Sequence, residues 1–135
     1  MNRAMHAGGL AALSLMFAAA AGAADATSVW TGTGAQVKAN GQISQWTIAL
    51  TLDARGNATQ IEYPSLDCGG VLSLLRKAGE FREYRETITH GTERCTNNGT
   101  VGIRPKLGKL IWYWTGEGTL NPTGIDTAVL MRKSP

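Results

Sequence analysis

Residues 45–53 read Gln45-Trp46-Thr47-Ile48-Ala49-Leu50-Thr51-Leu52-Asp53. Trp46, Ile48, Leu50 and Leu52 fall on every second position with polar or small residues between them, the period of a strand with one buried and one wet face. Such a strand needs antiparallel partners, and its flanks supply them. Asn40-Gly41 tolerates positive φ at both centres of a tight hairpin turn, which makes Val29 to Ala39 the preceding strand. Arg55-Gly56-Asn57 turns the chain again, and Thr59 to Tyr63 is the third strand, ended by Pro64, which cannot donate to a ladder.

Past the corner Tyr63-Pro64-Ser65-Leu66-Asp67-Cys68-Gly69-Gly70 lies a segment with two readings. Val71, Leu74, Leu75, Ala78 and Arg82 have near-helical spacing. Gly79 in the middle of such a helix costs about 1 kcal/mol relative to alanine. A hairpin turning at Lys77 to Gly79 is the preferred reading. Thr100 to Arg104, Lys109 to Thr115 and Ile125 to Lys133 complete the set, with turns at Gly91, Asn97-Asn98-Gly99 and Lys106-Leu107-Gly108. Gly116 to Gly124 is the one longer loop. About eight consecutive antiparallel strands cannot bury their apolar faces as one flat sheet. Closing into an all-β up-and-down barrel also removes both sticky edges, and a β-sandwich is the alternative.

Cys68 and Cys95 are the chain's two cysteines, and together they predict a disulfide. A bridge closing about 28 residues contributes roughly 3.5 kcal/mol by chain-entropy arithmetic. Two unrelated buried thiols are the other reading. The N-terminus supports an oxidising compartment. Arg3 and His6 precede the apolar run Leu10 to Ala21 and the small residues Gly22-Ala23-Ala24, the pattern of a secretory signal peptide over residues 1–24. The run is shorter than the ~20 residues a spanning helix needs. Residues 25–135 then form a single exported domain, periplasmic or extracellular, that does not span a membrane.

Trp30 beside the glycines of Trp30-Thr31-Gly32-Thr33-Gly34, with Arg132 in the final strand, resembles the calycin pattern of lipocalins, fatty-acid-binding proteins and avidins. The resemblance implies a barrel in which Trp30 is buried under the Arg132 side chain. The run Tyr63-Pro64-Ser65-Leu66, Cys68-Gly69-Gly70, Glu86 to Gly91, Cys95 and Gly99 is similar to a group of small secreted bacterial domains and implies structural roles for Tyr63, Gly69 and Gly70. It brings no active residues with it. The chain is shorter than true lipocalins and shows no helix after the barrel.

Lys and Arg total 13 against 10 Asp and Glu, with the signs interspersed, which does not suggest a nucleic-acid protein. His90 is the one histidine outside the leader. A hydrolase triad would have to combine it with Ser65 or Ser73 and an acid such as Asp67, and no nucleophile elbow supports that. Glu86 and His90 are about 13 Å apart along a strand, too far for one metal ion. No cofactor loop is present. Asn57-Ala58-Thr59 and Asn98-Gly99-Thr100 fit the glycosylation acceptor pattern and are read as turns.

Glu86 draws attention because Tyr84, Glu86, Ile88 and His90 alternate onto one face, the inward one. An acid inside a small barrel must be hydrogen-bonded or paired, or its pKa rises. It either accepts bonds from the backbone of the Tyr63 to Gly70 corner, pairs with an arginine such as Arg104, or anchors a ligand at the floor of a pocket. Trp46, Tyr84, Trp112 and Trp114 pose a parallel choice between filling the core and lining a lumen. These features lead to a non-enzymatic, monomeric binding module that takes a small apolar ligand or an envelope or extracellular protein. An inhibitor of a hydrolase such as lysozyme or a protease is the alternative, and a small hydrolase comes third.

Overall fold

The computed structural model describes residues 26–38, 40–116 and 126–133. The leader expected over 1–24 and most of the loop from Gly116 to Gly124 lie outside them. The chain forms eight strands: β1 Ser28–Val37, β2 Ile43–Leu52, β3 Ala58–Tyr63, β4 Cys68–Ala78, β5 Phe81–His90, β6 Thr100–Lys106, β7 Lys109–Thr115 and β8 Asp126–Arg132. Each pairs antiparallel with the next, and β1 pairs with β8, so the sheet closes into an up-and-down barrel. Among the described residues no helix is long and apolar enough to cross a membrane.

Alternation explains the interior. Ile48, Leu50 and Leu52 of β2 point inward, joined by Ile61, Tyr84, Ile88, Val101, Ile103, Leu110, Trp112 and Leu130 from the other strands. Eight strands leave an interior just wide enough for side chains or one small ligand. Backbone approach is correspondingly tight. A Cβ on Gly70 would meet the Thr87 carbonyl oxygen at 1.9 Å, so β4 reaches β5 at this point only because residue 70 has no side chain.

Three local details bear on the strand pattern expected above. The β1–β2 connection runs from Lys38 to Gln42 instead of a two-residue turn, because Val37 pairs with Ile43. Gly41 has positive φ, and the Asn40 carboxamide oxygen accepts from the Gln42 N–H. The segment after the corner is the hairpin and not the helix, turning at Gly79-Glu80, with Ala78 opposite Phe81. His90 is on the outer face. Gly69 pairs with His90 but Gly70 pairs with Ile88, leaving Thr89 as a bulge residue, and that extra residue reverses the facing of everything after it. His90 instead places Nε2 2.8 Å from Glu62 on the outside of the barrel.

Cys68 and Cys95 are bonded, with Cα atoms 6.3 Å apart. Arg94 reinforces the staple by donating to the carbonyl oxygens of Leu66 and Asp67. The corner itself is one 3-10 turn, Pro64–Leu66, closed by Asp67 in the left-handed conformation. Ser65 and Thr47 exchange two bonds, each hydroxyl accepting the other residue's N–H, which ties the corner down on β2.

Candidate functional site

Strand direction sorts the connections between the two barrel ends. The ends of β1, β3, β5 and β7 and the starts of β2, β4, β6 and β8 lie at one end, together with the corner and the disulfide. Here a cavity of about 210 Å³ opens, with Trp46, Trp112 and Trp114 supplying its aromatic wall and Tyr63, Glu86 and Asp126 its titratable groups. Gln36, Leu66, Arg94, Cys95 and Thr96 complete it.

Small residues seat the tryptophans. Gly34 pairs with Trp46 across β1 and β2, and a Cβ at 34 would lie 2.9 Å from the indole. A Cβ at Gly99 would lie 2.3 Å from the Trp114 indole nitrogen. Both rings therefore occupy space that a side chain at the glycine would fill, half-buried against the core.

Glu86 is 1 % exposed. Its Oε2 accepts from the Tyr63 phenol at 2.5 Å and its Oε1 from the Trp114 indole N–H at 3.0 Å. Burial pushes the carboxyl up from its ordinary range, and these two donors pull it partly back. The Tyr63 phenol is driven well above its usual value by burial and by the neighbouring Glu86 and Asp126 charges, so it stays a donor at all ordinary pH. The partners of Glu86 are thus side chains and not the corner's backbone or Arg104. Arg104 binds Glu80 at 2.7 Å near the opposite end and lies over the Phe81 ring.

Asp126 is the residue that sequence reasoning missed. It is 6 % exposed, and burial raises its pKa to about 6, against a lowering hydrogen bond from Gln36. Its Oδ1 and the Trp112 indole N–H are buried without any hydrogen-bond partner among the described residues. Buried polar atoms are paired in the great majority of cases, so two open ones on a single cavity mark it out. The signal for Asp126 was present: Asp126, Ala128 and Leu130 alternate inward, placing one acid on an apolar face.

The remaining candidates separate. Tyr84 is fully buried and its hydroxyl accepts from the Ala58 N–H, so it fills the core and does not line this cavity. Trp30 is half-buried at the other end, its indole donating to Ser28 Oγ. Arg132 pairs with it across β1 and β8 and is exposed, so Trp30 is only partly covered. Gly69 lies beneath the Glu62 carboxylate. No group of three or more His, Cys, Asp or Glu side chains able to hold a metal occurs among the described residues.

The other end carries a wider opening of about 520 Å³, walled by Trp30, Phe81, Ile103 and Leu110, with Arg55, Lys77, Arg82 and Lys109 around it. Arg82 there bonds the Asn57 side chain and the Gly56 carbonyl oxygen. No protein-family model, curated protein or solved structure matches this chain.

Proposed function

We propose that residues 25–135 form an exported, calycin-like binding module that holds a small ligand in the cavity at the disulfide end of its barrel. The observation that carries the reading is the pair of buried, open hydrogen-bonding atoms, Trp112 Nε1 and Asp126 Oδ1, on an aromatic-walled cavity. A preformed pocket with few convergent polar groups is the usual form of a ligand site. The bridged cysteines fit an oxidising compartment and hence the leader over residues 1–24.

The candidate hydrolase groups are held by other partners. His90 faces outward onto Glu62, and the Ser65 hydroxyl accepts from the Thr47 backbone. The inhibitor reading keeps one observation in its favour: Val37, Ile43 and Leu66 are exposed at the same end as the cavity.

The test is a fragment screen followed through the indole N–H resonances of isotope-labelled mature protein. Saturable movement of the Trp112 and Trp114 signals supports the reading. A diverse library that moves neither, or a reproducible turnover of substrate by pure protein, overturns it.

A further inference from the structure

The two open atoms have opposite needs. Asp126 Oδ1 asks for a donor, and the Trp112 N–H asks for an acceptor. Glu86, the second acid of the cavity, already accepts on both oxygens. Arg94 is the one basic side chain among the lining residues described, and its guanidinium is committed to Glu93, Asp67 and the Leu66 carbonyl oxygen. The negative charge of the cavity is therefore left without a cation of its own. Trp46 and Trp114 line the same space, and an aromatic face attracts a cation by its quadrupole. The volume is below the range for drug-sized ligands and equals the share of about seven waters.

Resting on the binding reading above, we propose that the ligand is a compact organic amine: its protonated amino group sits on Asp126 Oδ1, an acceptor oxygen takes the Trp112 N–H, and its body lies against the Trp46 and Trp114 rings. This differs from the purely apolar ligand expected of the sequence. An apolar guest would leave both buried atoms unpaired, a cost that a guest with a donor and an acceptor avoids.

The titratable and charged groups facing the site are Tyr63 from β3, Glu86 from β5, Arg94 from the β5–β6 connection and Asp126 from β8. β1, β2 and β7 contribute the neutral Gln36, Trp46, Trp112 and Trp114. With Asp126 titrating at about 6, its carboxylate is charged at neutral pH and loses that charge below that value.

Three probes share one body and differ in charge: tyramine, para-ethylphenol and para-hydroxyphenylacetate. They are titrated into the mature protein near neutral pH, with the Trp112 and Trp114 indole signals as readout. Tyramine is expected to bind at least tenfold more tightly than para-ethylphenol, with the carboxylate weakest. The preference should shrink at least threefold about one pH unit below the Asp126 transition. Asp126→Asn, shown to be folded by its melting transition, should remove the preference for tyramine over para-ethylphenol.

Equal binding of the neutral or anionic probe at these indoles overturns the amine assignment and leaves the pocket reading standing. Silence from all three probes overturns the assignment too, and the fragment screen then decides the pocket separately. If folded Asp126→Asn keeps the full tyramine preference, Asp126 is not its source and the inference fails.

Discussion

Asp126→Asn is a test of stability as well as of binding. Its carboxyl has an ordinary value of 3.8 and titrates at about 6 in the folded protein because burial disfavours the charged form. The folded state thus keeps this proton to higher pH than the unfolded state does. Its contribution is most favourable below about pH 4 and declines as pH rises through about 6. Once both states are ionised, the difference between the two values corresponds to about 3 kcal/mol against folding. Asparagine has the same size and carries no charge, so it escapes that cost. The gap between variant and parent should be close to zero near pH 4 and should open in the variant's favour to about 2 to 3 kcal/mol above pH 7. Glu86 contributes a trend of the same sign, since its pKa is raised as well, but it is present in both proteins and cancels from the difference. Urea denaturation across this pH range measures the gap directly. A gap that does not open with pH, or a variant less stable than the parent at neutral pH, would refute the account of Asp126 as a buried, poorly compensated acid. A residue that destabilises its own fold at the working pH is what a binding site retains at the expense of stability.

Glu86→Ala should cost about 2 kcal/mol or more, because it leaves the Tyr63 hydroxyl and the Trp114 N–H buried and unpaired, and chemical denaturation of Glu86→Ala beside Glu93→Ala reads the difference. Glu83 is no neutral control for that comparison, being bonded by both Tyr113 and Arg76. Reduction of the Cys68–Cys95 bridge should lower stability by roughly 3.5 kcal/mol, visible as a fall in denaturation midpoint with reductant present. Gly70→Ala should cost at least about 3 kcal/mol or abolish soluble folded protein, since the new methyl group meets the Thr87 carbonyl oxygen, and circular dichroism melting distinguishes the outcomes. Leu107 is exposed at positive φ beside Gly108 in the β6–β7 turn, so Leu107→Asn should raise stability by about 0.5 to 1 kcal/mol in the same measurement.

The strand count, the inward set Ile48, Leu50 and Leu52, the corner at Pro64 and the Cys68–Cys95 bridge were legible in the residue order. Each rests on a local rule: the two-residue period of a strand, the missing N–H of proline, and the pairing of the chain's two cysteines. A closed barrel followed from the number of strands and the short turns between them. The inward direction of Glu86 came from the same alternation. What alternation cannot register is an added residue. The Thr89 bulge turned His90 outward, and it lies beside the close approach at Gly70. The choice of hairpin over helix after Cys68 was likewise settled by partners, since β3 and β5 flank that segment and take its backbone bonds. The site itself was beyond local reasoning. Glu86 meets Tyr63 from 23 residues before it and Trp114 from 28 after it, and Gln36 reaches Asp126 only because β1 closes onto β8. Whether a buried acid is paired or open depends on which side chains the closed register brings to the same layer, and that is decided only when the last strand meets the first.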